Sequence, residues 1–182
     1  MQSPFKDRLL LTAFLVILLA FGLLVARKYF ISTPPPQPVA TVPAPEEPRQ
    51  RREVVLYFGN PDGTHLVPES REVSDCLVES DCVRETVQAL INGPLGNSIP
   101  IIPSHSVLRG IALENGTAIL DFSRDLVTGH PGGSISELLT VYGLANTVAV
   151  NFPHLRQVRI LIEGATVETL KGHLGLQEPV TA

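Results

Sequence analysis

The apolar residues of this chain begin as one uninterrupted run. Residues 9–26 carry no charged side chain and are mostly Leu, Phe, Val, Ile and Ala. A helix rises ~1.5 Å per residue, so this run comes close to crossing the ~30 Å hydrocarbon core of a bilayer. Two basic and two aromatic residues follow it, and these residue types favour the membrane interface. The pattern predicts one transmembrane helix within residues 1–30.

A cleaved secretory signal is the alternative interpretation of the same run. The run is longer than the apolar region of most signal peptides, and no small-x-small cleavage site precedes the next segment. No cysteine directly follows it to carry a lipid. We therefore favour an uncleaved anchor.

Beyond residue 53 the apolar residues occur in short runs separated by turn signals. Residues 54–58 form a β-rich apolar run, and the turn sequence Gly-Asn-Pro-Asp-Gly follows at 59–63. Residues 66–73 predict a returning strand, which Pro68 places at a sheet edge or a bulge. The pattern predicts a strand pair at the start of a folded domain.

Helical periodicity appears next. Val83, Val87, Leu90 and Ile91 share one helix face, and Gly-Pro ends the helix after residue 92. Ser80 or Asp81 is the predicted N-cap of this helix, because their side-chain oxygens can accept the free amide hydrogens of the first turn.

A second strand pair and a longer helix complete the pattern. Asn115-Gly116 lies between the apolar runs 107–113 and 117–122, which is the strongest short-range hairpin signal. Ser134 and Glu137 match the S-x-x-E capping box at the start of the long helix. Residues 157–163 then alternate as a final strand.

The predicted order is β-β-α-β-β-α-β, with a further short strand near 166–167. Two helices that must bury an apolar face predict a compact two-layer α/β (α+β) domain, in which both helices pack on a mixed sheet. The predicted organisation is residues 1–30 for the tail and transmembrane helix, 31–53 for a linker, 54–175 for the domain and 176–182 for a C-terminal tail.

The linker is rich in proline. Seven of the sixteen prolines lie in residues 31–53. Because proline fixes φ and lacks an amide hydrogen, we expect a stiff polyproline II spacer of about 60 Å.

Charge is distributed unevenly along the chain. Residues 1–52 carry seven Lys/Arg and three Asp/Glu, whereas residues 53–182 carry seven Lys/Arg and fifteen Asp/Glu, a net charge of −8. A domain this acidic repels phosphate backbones, so we predict no nucleic-acid partner.

The side of the membrane on which the domain lies is predicted from three features. Basic residues flank both ends of the helix, and counting them alone would place the C-terminal side in the cytoplasm. The short N-terminal tail, the proline-rich linker and the cysteine pair favour the opposite orientation. We predict a single-pass protein of the cytoplasmic (inner) membrane with its domain on the extracytoplasmic, periplasmic side.

The two cysteines are separated by five residues. Outside the cytoplasm, Cys76 and Cys82 are predicted to form a disulfide at the start of the first domain helix. Free thiols are the alternative. A redox pair usually has C-x-x-C spacing, and a metal site needs more ligands than two thiols.

No catalytic, cofactor or metal site is predicted. The five histidines are scattered in loops without metal-ligand spacing, and we expect them to be exposed. Ser123, Asp125 and His130 supply the residue types of a hydrolytic triad, but no G-x-S-x-G motif accompanies them. The glycine-rich segment 129–133 lacks a P-loop lysine.

The ordered series of motifs resembles the GerMN domain of the sporulation and spore-germination GerM family. The resemblance covers residues 54–175 and rests on a series of short motifs in order: Val55-Leu56-Tyr57-Phe58, Ala89-Leu90-Ile91-Asn92-Gly93-Pro94, Ala118-Ile119-Leu120-Asp121-Phe122-Ser123, Asn146-Thr147-Val148 and Val158-Arg159-Ile160-Leu161-Ile162-Glu163-Gly164.

The resemblance implies a non-enzymatic extracytoplasmic domain, similar in fold to ring-building motifs that pack side by side in envelope assemblies. The chain departs from the sporulation protein in having one copy, a helical anchor and the cysteine pair.

Three functional hypotheses follow. The first is a module for protein interaction or assembly in the bacterial envelope, either with other envelope proteins or by self-association. The second is a peptidoglycan- or glycan-binding module, although such sites usually offer aromatic platforms and we expect Tyr57 and Tyr142 to be buried. The third is a hydrolase that uses Ser123, Asp125 and His130.

Overall fold

The structure is a computed structural model that describes residues 4–31 and 50–182. The chain divides into two compact units, with the boundary between Glu46 and Glu47. The N-terminal unit contains helix α1, Pro4–Ile31, and its segment Thr12–Tyr29 is long and apolar enough to cross a membrane. A membrane anchor and a signal sequence share these properties. Most of the linker predicted at 31–53 lies outside the described residues.

The C-terminal unit is an α/β domain whose main elements follow the predicted order β-β-α-β-β-α-β. The short strand predicted near 166–167 is present as β6 (Ala165–Thr166), and two short elements, α3 (Asp125–Thr128) and β7 (Val180–Thr181), are additional. The elements are β1 (Arg51–Gly59), β2 (Leu66–Ser74), α2 (Glu79–Ile91), β3 (Leu108–Glu114), β4 (Thr117–Phe122), α3 (Asp125–Thr128), α4 (Ser134–Asn151), β5 (Gln157–Ile162), β6 (Ala165–Thr166) and β7 (Val180–Thr181).

The strands form two sheets. Strands β1 and β2 pair antiparallel as a two-stranded sheet. The second sheet has the order β3-β4-β5-β6, with β7 also paired to β5, and it is mixed because β4 and β5 run parallel. The mixed sheet was predicted, but the separation of β1–β2 from it was not.

Two turns were predicted from their sequences and have a clear physical basis. The side-chain oxygen of Asn60 accepts hydrogen bonds from the amides of Thr64 and His65, which closes the β1–β2 turn. In the β3–β4 hairpin, Asn115 and Gly116 both have positive φ, 48° and 78°, as a tight hairpin turn between twisted strands requires.

The core is formed by alternate residues of the central strands and by one face of each long helix. β-Strand side chains alternate between faces, so every second residue is buried. The fully buried residues with the largest apolar side chains include Leu56, Phe58, Leu90, Leu120, Phe122, Leu144 and Ile160.

The folded unit extends beyond both predicted domain limits. Strand β1 begins at Arg51, and the amide of Asp75 donates to the carbonyl of Gln50 at 2.7 Å. At the other end, Leu176 is buried and β7 pairs with β5. The segment predicted as a C-terminal tail, 176–182, therefore contributes to the core and to the sheet.

Both predicted helix caps were wrong. The N-cap of α2 is Val78, without a side-chain hydrogen bond, so Ser80 and Asp81 lie within the helix. The N-cap of α4 is Gly133, one residue before the predicted Ser134. Its φ of 91° is a conformation that glycine adopts readily and residues with a side chain rarely adopt. The predicted capping box therefore does not form, and Glu137 has a different role.

Candidate functional site

Glu137 is the only acidic residue of α4, which has no basic residue, and it is fully buried. Its carboxylate accepts hydrogen bonds from the amides of His173, at 3.3 and 3.4 Å, and Leu174, at 3.1 Å. A buried carboxylate is costly unless its lone pairs are satisfied. Glu137 therefore fixes the C-terminal loop against α4.

His130 is also buried, contrary to the expectation for loop histidines; the other four histidines are exposed. Its Nδ1 accepts a hydrogen bond from the amide of Gly132 at 3.0 Å, so the ring proton lies on Nε2, which donates to the Thr140 hydroxyl at 3.0 Å. That hydroxyl donates to the carbonyl of Ile101. Burial lowers the pKa of His130, and nearby Lys171 lowers it further, against an opposing effect of Glu137. The neutral ring thus connects the loop before α4 to the 101 loop.

The edge of β1 that does not pair with β2 is covered by side chains of α4. The amide of Val55 donates to Asn151 Oδ1 at 3.0 Å, and Asn151 Nδ2 donates to the carbonyl of Val55 at 2.7 Å. The amide of Tyr57 donates to Thr147 Oγ1 at 3.0 Å. Further along the strand, Gly59 and Ile99 exchange two backbone hydrogen bonds. The helix therefore takes the place of a neighbouring strand.

The C-terminus of α2 is held by an arginine on β2. Arg71 donates to the carbonyls of Ala89 and Gly93, each at 3.0 Å, and pairs with Glu69. Burial alone would raise the pKa of Glu69, but the amide of Leu95 and the Arg71 guanidinium outweigh it and lower that pKa. The cluster joins strand, helix and following loop.

The predicted cysteine pair is a disulfide in the structure. Cys76 and Cys82 are joined with their Cα atoms 5.3 Å apart. The bridge closes the start of α2 into a small loop, in which Leu77 is fully exposed and Val78 is exposed. Arg52 lies beside this loop. Its guanidinium donates to the Thr86 hydroxyl at 2.8 Å and stacks on the ring of Phe152.

The three residues considered as a hydrolytic triad are not arranged as one. Ser123 Oγ donates to Asp125 Oδ2 at 3.0 Å and accepts from the amide of Val107 at 3.1 Å. The two ring nitrogens of His130 contact Thr140 and Gly132 instead. Within residues 4–31 and 50–182, no group of three or more His, Cys, Asp or Glu side chains is placed to hold a metal ion.

An apolar groove of about 600 Å³ lies at the N-terminus of α4. Its walls are the 99–101 loop, the glycine-rich turn 131–133 and the first turns of α4, including Ile135 and Leu139. The groove could not be predicted from the sequence, because its walls come from segments that are distant in sequence and have no shared motif.

Helix α4 has an exposed apolar face next to this groove. We call this surface the outer face of α4 and define it by Ile135, Leu138, Tyr142 and Val150, which are 53%, 41%, 37% and 47% exposed. At ~100° per residue, all four fall within about 120° of the helix circumference. Tyr142 was predicted to be buried, and that prediction was wrong. Tyr57 is half-buried.

A family model described as "Germane: Sporulation and spore germination" matches residues 55–168, which is more than half of the chain. The chain belongs to the Germane family. The structure agrees with this assignment to a GerMN-type domain, and the resemblance predicted from the motif series is confirmed.

Solved structures share the fold of this Germane domain. A presumed lipoprotein from Clostridium perfringens is 25% identical, with a TM-score of 0.54, over 72% of this chain and 87% of that chain. The tandem GerMN domains of the sporulation protein GerM from Bacillus subtilis are 17% identical, with a TM-score of 0.56, over 72% of this chain and 46% of that chain.

The first GerMN domain of the same Bacillus subtilis protein is 16% identical, with a TM-score of 0.56, over 71% of this chain and 97% of that one. This chain thus spans a little under half of the tandem pair. A search of curated proteins found no match. Together, the family and its neighbours support an envelope module.

Proposed function

We propose that this Germane protein is a membrane-anchored, non-enzymatic module, held on the extracytoplasmic side of the envelope, that binds or assembles with other proteins there. The observation that carries the proposal is that buried and exposed side chains differ in role. Buried polar groups hold the backbone together, while an uncharged apolar helix face is left exposed.

The buried polar groups support the non-enzymatic part of the proposal. Six of the seven buried polar residues of the domain hydrogen-bond to backbone groups of their own fold. These six are Asn60, Thr86, His130, Glu137, Thr140 and Thr147. Catalysis needs polar side chains that are free to reach a substrate. These six side chains already have structural partners.

The exposed surface supports the interaction part. Clustered apolar side chains on a soluble domain cost free energy in water and usually mark a contact surface. The outer face of α4 and the adjacent groove form such a cluster, whereas Leu77 and Leu95 are exposed at separate positions.

The proposal is tested by photocrosslinking in intact membranes of the source organism. A photoreactive phenylalanine analogue at Leu138 is expected to form specific adducts with envelope proteins, identified by mass spectrometry. The same analogue at Thr128, an exposed residue of α3, is the matched control. Equal adducts at both positions, or none at Leu138, would contradict an interaction role for this surface.

Glycan binding is a second candidate, and the exposure of Tyr142 favours it. Its phenol ring is 37% exposed and could stack on a sugar. The full chain in detergent would be sedimented with purified peptidoglycan. Retention that Tyr142→Ala abolishes would support this candidate, and retention unchanged by Tyr142→Ala, or no retention, would remove it.

A further inference from the structure

The charge pattern of α4 differs from that of the rest of the domain. Residues 53–182 carry a net charge of −8. Within Ser134–Asn151 the only Asp, Glu, Lys, Arg or His is Glu137, and it is buried against the C-terminal loop. The exposed side of this 18-residue helix therefore contributes no charge to the surface.

The apolar side chains on that side are arranged for helix packing. Ile135, Leu138 and Tyr142 follow the spacing i, i+3, i+7, which places them in a row along the helix. Ile99, 36% exposed, lines the groove together with Ile135. Such rows form the ridges that pack into the grooves of another helix.

The charge pattern discriminates between possible occupants of this face. Helices that lie on anionic membranes carry Lys or Arg, and α4 has none. A basic protein would gain nothing here, because the outer face offers no carboxylate. Two copies of this acidic domain repel each other because both carry a net negative charge. At the outer face of α4 they can meet without bringing like charges face to face.

We propose that the outer face of α4 packs against the same face of a second copy of this chain, related by a two-fold axis. The inference rests on the proposed function, since it names the partner and the surface of that interaction. A two-fold contact is self-complementary, so an apolar, uncharged ridge meets an identical ridge.

The contact between two α4 helices is small, so the pair depends on both copies being anchored in one membrane. An 18-residue helix is about 27 Å long and ~10 Å wide, so its footprint is about 270 Å², well below the ~800 Å² per partner of a stable complex. Such a contact is weak in solution. Confinement of both copies to one membrane raises their effective concentration and favours the pair.

The test uses the full chain carrying Tyr142→Cys, reconstituted in phosphatidylcholine vesicles at two protein-to-lipid ratios and treated with a short bismaleimide. Because Cys76 and Cys82 are joined in a disulfide, only the introduced thiol reacts. We expect a covalent dimer whose yield rises with surface density and falls when the vesicles are dissolved in excess detergent before crosslinking. Thr128→Cys, also exposed, is the position control.

A charge introduced on the outer face is expected to separate the copies. Leu138→Glu in the Tyr142→Cys background should lower the yield about tenfold, because two carboxylates then face each other across the axis. Ile135→Lys should act in the same direction, and Leu77→Glu, an exposed leucine outside α4, should not. Circular dichroism checks that each variant is folded.

Equal yields from Tyr142→Cys and Thr128→Cys, or no effect of Leu138→Glu and Ile135→Lys, would overturn the proposal. The vesicles contain no other protein, so this failure removes only the second copy as partner. Adducts of Leu138 with different proteins in native membranes would then leave the proposed function standing.

Discussion

Asn151 shows how one side chain replaces a backbone ladder. Its carboxamide offers a donor and an acceptor with the spacing of a peptide group, and Val55 uses both. Asn151 Nδ2 also donates to the carbonyl of Thr147 at 2.8 Å, which orients the amide. Helix α4 covers the edge of β1 that would otherwise be exposed, so this edge is not free to pair with another strand.

Removal of this amide is expected to destabilise the domain. Asn151→Leu leaves the amide and carbonyl of Val55 without partners, at a cost of about 2 kcal/mol in the free energy of unfolding. Urea denaturation followed by circular dichroism measures the loss. Asn146→Leu, at a half-buried asparagine of the same helix, is the matched control and should cost much less. Equal losses would show that the Val55 contact is not the cause.

His130 is expected to make stability depend on pH. Burial lowers its pKa, so the unfolded chain takes up a proton below pH ~6.5 that the folded domain rejects. The free energy of unfolding should therefore be fully retained above this pH and fall as the pH drops below it, by at most ~1.4 kcal/mol per pH unit for one proton. Urea titrations at pH 7.5 and 5.5 measure the difference.

His130→Gln should remove this part of the pH dependence whatever its effect on stability itself. His105→Gln, at an exposed histidine, should leave the dependence unchanged. A pH dependence identical in wild type and His130→Gln would contradict the assignment.

The positions of single polar residues were the hardest to predict from the sequence. Glu137 matched a capping box by spacing, but its carboxylate is buried. It accepts hydrogen bonds from the backbone amides of residues 36 and 37 positions later. His130 looked like a loop residue, yet a neighbouring turn and α4 enclose it. Contacts between distant segments determine both positions, and local spacing contains no information about them.

At the scale of elements, hydrophobic periodicity predicted most of the domain. The helix α2, the β3–β4 hairpin and the long helix α4 lie close to their predicted positions, because their apolar faces and turn residues are local signals. The division into two sheets could not be predicted. It depends on Asn151 and Thr147 meeting the edge of β1, and an amide and a hydroxyl near the end of a helix have no distinctive pattern.

The disulfide is expected to stabilise the start of α2. Closing a loop with a separation of 6 residues removes chain entropy from the unfolded state, worth about 2 kcal/mol. The free energy of unfolding, measured by thermal or urea denaturation, should fall by this amount when a reductant is added. The double variant Cys76→Ser, Cys82→Ser should show the lower stability with and without reductant; a reductant effect that persists in the double variant would have another origin.

At the scale of the whole molecule, an apolar helix precedes a domain of the Germane family. The helix was predicted from its uncharged run, and the family from an ordered series of short motifs. The side of the membrane was predicted from the tail, the linker and the cysteines, because no single residue determines it.

The predicted orientation can be measured in intact cells. If the domain is extracytoplasmic, Cys76 and Cys82 will be oxidised, so a membrane-impermeant maleimide should label the chain only after reduction. Reduction needs no permeabilisation in that case. Labelling that requires permeabilised cells but no reductant would place the domain in the cytoplasm.

The attachment of the chain to the first strand has a mechanical consequence. The segment from the N-terminal unit enters the domain at Gln50, whose carbonyl binds Asp75, one residue before the disulfide. A pulling force transmitted along that segment would act directly on β1. This strand is held along one side by β2 and along the other by α4, so tension would be shared among a sheet, a helix and a covalent bridge. We therefore expect β1 to resist a load applied through the N-terminus of the domain.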